Sequence, residues 1–141
     1  MVSDPLYLSG VRDLVSAVAR RLGFGDLGCS QIALAVDEAL CNIIRHGYES
    51  AGDRPIWISL WPEAVTDSGT SQGITLLIED EAKQIDPTQI KGRELDDIRP
   101  GGLGVHIIRE VMDDVEFKKR KGKGMSLRLV KRVDTTQEAA G

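Results

Sequence analysis

A chain of 141 residues, 41% hydrophobic and 28% charged, is long enough to bury a core of its own as one domain. It carries no apolar run of membrane-span length, and residues 1–10 lack the basic-then-apolar layout of a signal peptide. A net charge of -4 argues against a general nucleic-acid binder. The two cysteines, Cys29 and Cys41, are too few for a disulfide framework and are not spaced as a metal site. The expectation is a cytoplasmic single domain over residues 1–133, with no membrane and no direct nucleic-acid contact. The small polar segment 134–141 reads as a disordered tail.

Helical spacing of Val11, Leu14, Val15, Val18, Ala19 and Leu22 predicts a first amphipathic helix from Gly10 to Leu22, ended by Gly23 and Gly25. A second helix is predicted from Ser30, as cap, to Arg45, with Ile32, Ala35, Val36, Ala39, Leu40 and Ile43 as its apolar stripe and Gly47 as its stop. Ile56, Ile58 and Leu60 alternate with Trp57, Ser59 and Trp61 as a strand, and residues 73–79 form another. Residues 63–73 read as a polar loop, and 81–100 as a long polar segment. A third helix is expected over Val105 to Met112, behind Gly101-Gly102-Leu103-Gly104. A closing hairpin pairs Val115–Lys119 with Met125–Lys131 across a KGKG turn. This order suggests an α+β two-layer sandwich, with a mixed, largely antiparallel sheet and helices on one face.

Three features could carry chemistry. Glu38 and Asn42 lie four residues apart on one helical side, at the flank of the apolar stripe, where a carboxylate can take a proton and a carboxamide oxygen can bind Mg²⁺. Alone, they fit a partly exposed polar pair equally well. Glu79-Asp80-Glu81-Ala82 ends a strand, where a carboxylate could accept two donors or form a solvated acidic turn. The glycines at 101, 102 and 104 open a helix and could cradle phosphate, although no Gly-Lys-Ser/Thr or GxGxxG pattern is present.

Glu-x-x-x-Asn, Asp-x-small and Gly-x-Gly in this order resemble the N, G1 and G2 boxes of the GHKL (Bergerat-fold) ATPases. DEALCNIIRHGY (Asp37 to Tyr48) and PGGLGVHIIREVMDDVEF (Pro100 to Phe117) resemble the bacterial anti-sigma-factor serine/threonine kinases of that superfamily. The resemblance runs from about Pro5 to Arg132. It implies Glu38 as general base for an accepting serine, and Asn42 as the ligand of Mg²⁺ bridging the phosphates of ATP. It implies Asp80 as acceptor of the adenine amine, with Ala82 and Met125 beside the base. Gly101, Gly102, Leu103 and Gly104 would lie against the phosphates, and residues 84–100 would form a lid with Lys91, Arg93 and Arg99 as cationic candidates.

The pattern is broken in three places. Ala82 stands where the family usually has the glycine of Asp-x-Gly, which implies weaker nucleotide affinity or a reshaped turn. Gly124-Met125 replaces an expected Gly-Thr. The strand usually found before the first helix is missing, which leaves a homodimer through this region open. The implied partners are an anti-sigma-factor-antagonist protein, as phosphoacceptor, and a sigma factor. A partner-switching module that sequesters a regulator without catalysis is the alternative, and a histidine kinase catalytic domain is a third reading. His46 reads more readily as a structural residue than as an acid or phosphoacceptor, while His106 fits a phosphate contact and an exposed helix residue equally well. The Lys118–Lys123 cluster reads as a solvated hairpin tip to which an acidic partner could dock.

Overall fold

A computed structural model describes residues 1–64, 66–69, 71–90 and 102–133. The expected tail at 134–141, Gly101 and most of the expected lid, including Lys91, Arg93 and Arg99, lie outside these residues. The described elements are α1 (Leu8–Arg21), α2 (Asp26–Asn42), β1 (Ile56–Pro62), β2 (Gly73–Asp80), α3 (Gly102–Val111), β3 (Asp114–Lys119) and β4 (Met125–Arg132). The strands form one sheet in the order β1-β2-β4-β3, and all three pairings are antiparallel. The expected α+β sandwich is what is observed.

Strand register explains the alternation. Ile78 sits opposite Ile58 on one side and Leu127 on the other, and Leu76 sits opposite Leu60 and Leu129. Aligned residues share a face, so these side chains make one apolar layer against the helices. Ile74, Leu76, Ile78, Leu127 and Leu129 are buried, as are Ile32, Val36, Ala39 and Leu40 of α2. Each such Ile or Leu contributes roughly 1.5–3 kcal/mol relative to exposure. Trp57 and Trp61 occupy the other sheet face, as their parity predicts, and remain about two-fifths exposed (42% and 43%).

Helix α2 is the hub, packed between α1 and α3. It starts a turn before the predicted Ser30 cap, with Gly25 as its N-cap. Gly28 and Cys29 are buried and extend the core-facing side, while Ser30 is exposed within the helix. Burial on several sides also explains why Asp26–Gly47 is long and apolar enough to suit a membrane span by composition, contrary to the first reading; half of that window is inside the fold. In α1 the buried residues are Val15 and Ala19, whereas Leu14, expected in the stripe, is 57% exposed.

The missing first strand is reduced to a single bridge. Val2 pairs with Pro55, the Met1 ammonium donates to the Ile56 carbonyl at 2.8 Å, and the Ile56 N–H returns a bond to Met1 at 2.8 Å. Ser3 is fully buried. Its hydroxyl donates to the Ala51 carbonyl and accepts from the Arg54 N–H. The N-terminus thereby pairs the start of the outer edge of β1, at Pro55 and Ile56, which would otherwise present unpaired backbone groups.

Candidate active site

Glu38 and Asn42 lie one turn apart near the end of α2 and are both half-buried. They face the first turn of α3. The helix begins at Gly102, three residues before the predicted Val105, so Gly102 and Gly104 belong to its first turn and do not precede it. Gly104 permits the close approach: a β-carbon there would stand 2.8 Å from Glu38 Oε2 and 3.3 Å from Asn42 Nδ2. Gly102 and Leu103 contribute the backbone that opens this helix. A carboxylate and a carboxamide oxygen thus sit beside a helix N-terminus, where unpaired N–H groups favour an anion.

After Asn42 the helix continues as a π-type turn, Ile43–Gly47, closed by the Tyr48 N–H donating to the Ile43 carbonyl at 2.8 Å. No periodicity signal marks this widening, which swings Ile43, His46 and Gly47 onto the wall of a cleft. Sequence reasoning also passed over Tyr48. This buried phenol donates to the Pro55 carbonyl at 2.6 Å and accepts the Glu81 N–H at 2.6 Å, tying the π turn to the end of β2. Burial pushes its hydroxyl pKa up.

Asp80 is the last residue of β2, on the helix-facing side, and is only 5% exposed. Its Oδ1 accepts the N–H groups of Ala82 at 2.8 Å and Met125 at 3.2 Å. Both of these bonds go to Oδ1, none from the described residues goes to Oδ2, and Asp80 lines the cleft. Burial raises the carboxyl pKa, opposed by those two N–H groups and by Arg120. Behind the sheet, Arg120 donates to the Asp80 carbonyl at 2.6 Å, pairs with Glu79 at 3.3 Å and lies 4.9 Å over the Trp57 ring. Gly124, at φ +83, lets the hairpin turn meet the Asp80 backbone, since a β-carbon there would fall 1.9 Å from the carbonyl oxygen.

The cleft, of about 210 Å³, opens between the π turn, α3 and the sheet. Ala39, Ile78, Ile108, Met125 and Leu127 make its walls apolar, and Asn42, Asp80 and Ala82 also line it. Met125 is buried, and its sulfur accepts the Ile85 N–H at 3.5 Å. The structure therefore brings Asn42, Asp80, Ala82 and Met125 to one cleft, with Glu38 and Gly104 at the Asn42 end.

Of the other candidates, His46 lines the cleft as an exposed residue of its wall, whereas His106 pairs along α3 with Glu110 at 3.7 Å when protonated. Cys29 is buried; Cys41 is half-buried with a thiol pKa raised first by burial and then by Asp37. Of the basic hairpin, Lys118 pairs with Glu116 and Lys123 with Glu81.

Chemically, one end offers an apolar slot with a single open carboxylate oxygen, suited to a flat heterocycle bearing an amine. The other end offers two hard oxygen donors and a helix N-terminus. No group of three or more His, Cys, Asp or Glu among the described residues could hold a metal alone. That donor set suits Mg²⁺, which commonly takes one or two protein oxygens and completes its shell with phosphates and water.

A sheet of this order under three helices, with a cleft of this build, defines a histidine-kinase-type ATPase fold. The histidine kinase domain of the Erythrobacter litoralis EL346 blue-light activated histidine kinase shares it, at a TM-score of 0.56 and 15% identity over 95% of this chain. The chain spans 62% of that structure's length. Residues 1–131 match the family described as Histidine kinase-like ATPase domain, and the chain belongs to that family. It is 29% identical over 116 residues, 82% of this chain and 71% of the relative, to a protein of Halalkalibacterium halodurans named Serine-protein kinase RsbW. A protein of the same name from Listeria monocytogenes serotype 4a is 27% identical over 96% of this chain and 85% of its own length. The Bacillus cereus B4264 protein of that name is 24% identical over 93% of this chain and 81% of its own length.

Proposed function

We propose that this protein is an ATP-dependent serine kinase of the anti-sigma-factor type, acting in the cytoplasm on an anti-sigma-factor-antagonist domain and regulating it by partner switching. The carrying observation is the polarity of one cleft: an open Asp80 oxygen in an apolar slot at one end, Glu38 and Asn42 against the first turn of α3 at the other. Relatives named as serine-protein kinases support the choice of reaction and acceptor.

Asp80 Oδ2 accepts the exocyclic amine of adenine, and Ile78, Met125 and Leu127 cover the ring faces. The backbone at Gly102 and Gly104 approaches the phosphates, a role shared by Gly101 and Arg99 in this reading. Asn42 Oδ1 would hold Mg²⁺, which when bound would supply charge neutralisation for the phosphates. Glu38 takes the proton of the serine hydroxyl as that oxygen attacks the γ-phosphorus and ADP leaves. Positioning and charge carry this chemistry, which needs no covalent protein intermediate.

The test is transfer of phosphate to a purified antagonist-domain protein with Mg-ATP, read as a phosphoserine mass shift. Wild type transfers, and Glu38→Ala abolishes transfer. No transfer by wild type, or undiminished transfer by the variant, overturns the reading. Ala82 and Met125 at the base end favour one rival, a nucleotide-sensing module that sequesters a sigma factor or other regulator. That rival predicts Mg-ATP binding with no transfer.

A further inference from the structure

Gly47 and Ala82 meet across the base end of the cleft. A β-carbon added to Gly47 would lie 3.0 Å from the Ala82 methyl, inside the ~3.5–4.0 Å of an ordinary carbon contact. The methyl therefore occupies the space that a side chain at 47 would need.

Neither partner is free to give way. Ala82 donates its N–H to Asp80 Oδ1 at 2.8 Å, and the preceding Glu81 N–H is held by the Tyr48 hydroxyl at 2.6 Å. Gly47 precedes Tyr48, whose N–H closes the π turn on Ile43 at 2.8 Å. Both residues also line a neighbouring polar cleft that includes Arg54, Glu81 and Lys123, so their contact is the partition between the two spaces. The φ of Gly47 is not positive, so an alanine there meets no backbone obstacle. What crowds it is Ala82, which would have to give by a few tenths of an ångström.

We infer that Gly47 and Ala82 act as one coupled wall that positions Asp80: the bare α-carbon at 47 leaves room for the methyl at 82, and the pair together sets the shape of this end of the cleft. Gly47 is thus a positioning residue for the base end of the site, acting through Ala82 on the Asp80 carboxylate. The inference rests on the cleft being the nucleotide site, but its structural half does not.

Four proteins test it: wild type, Gly47→Ala, Ala82→Gly and the double variant, each measured for thermal midpoint without nucleotide and for Mg-ATP affinity by calorimetry. In wild type, Gly47→Ala lowers the midpoint and weakens ATP by about tenfold or more, the scale of overpacking a fixed wall. In the Ala82→Gly background the same substitution raises the midpoint, because a permitted Gly→Ala change restricts the unfolded chain, and affinity stays at that of Ala82→Gly alone. In the transfer assay Gly47→Ala raises KM for ATP and leaves kcat in place, since the wall lies away from the reacting phosphate.

A penalty equal in both backgrounds, no penalty in either, or a fall in kcat at unchanged KM overturns the inference. Should Gly47→Ala fail to fold, the double variant decides: folded, it supports the pair; unfolded, it contradicts it. If wild type binds no ATP, the functional reading fails, and the thermal cycle still judges the contact.

Discussion

Gly104 and Glu38 meet in a contact that only a glycine allows, with 2.8 Å between the position of a β-carbon at 104 and Glu38 Oε2. The Asn42 amide is the next neighbour, at 3.3–3.4 Å. The bare α-carbon at 104 therefore lets the first turn of α3 lie against the carboxylate and the carboxamide at the end of α2.

Gly104→Ala separates function from folding. The obstacle is the tip of a flexible side chain, so Glu38 can swing aside at a cost to stability of about 1 kcal/mol or less. Phosphoryl transfer falls by roughly tenfold or more, because a displaced carboxylate no longer meets the hydroxyl proton. Thermal unfolding and the transfer assay read the two effects. A variant with full transfer contradicts the geometry proposed for Glu38.

Asp80→Asn is expected to be stable and defective at once. The raised carboxyl pKa of Asp80 means that the fold binds its proton more tightly than the unfolded chain does. Its favourable contribution is therefore complete below the ordinary aspartate pKa and is lost as pH rises through the raised value. An amide keeps an oxygen for the Ala82 and Met125 N–H groups and escapes the burial penalty. The variant's melting advantage over wild type is thus largest at neutral pH, shrinks as pH falls through the raised value, and is gone below the ordinary aspartate range. ATP affinity drops roughly 10- to 100-fold with loss of a charge-assisted acceptor. A variant less stable at neutral pH, with the gap narrowing in acid, contradicts this account.

Tyr48→Phe removes the hydroxyl that joins the Pro55 carbonyl to the Glu81 N–H. Leaving two such partners unmet costs about 1–3 kcal/mol. The thermal midpoint should fall by several degrees, and ATP affinity should fall with it, because Glu81 lies between Asp80 and Ala82. An unchanged midpoint shows that water replaces the phenol without loss.

The sheet was legible because its strands alternate cleanly: Ile74, Leu76 and Ile78 face the helices, and Trp57 and Trp61 do not. Glu38 and Asn42 were legible because four-residue spacing survives in any α-helix. Three features were not. The π turn at Ile43–Gly47 follows a five-residue hydrogen bond that leaves no mark on a 3.6-residue pattern, and Gly47 reads as a stop. The single bridge at Val2 is too short to alternate. The Ala82 methyl reads as a lone departure until the bare α-carbon of Gly47 is seen beside it, a long-range contact that sequence spacing does not encode.

A structure with Mg²⁺ and a non-hydrolysable ATP analogue tests the central claim most directly. The account predicts the adenine amine on Asp80 Oδ2, the metal on Asn42 Oδ1, and the γ-phosphate between Glu38 and the first turn of α3. A nucleotide bound outside the cleft, or with its phosphates at the Asp80 end, would contradict it.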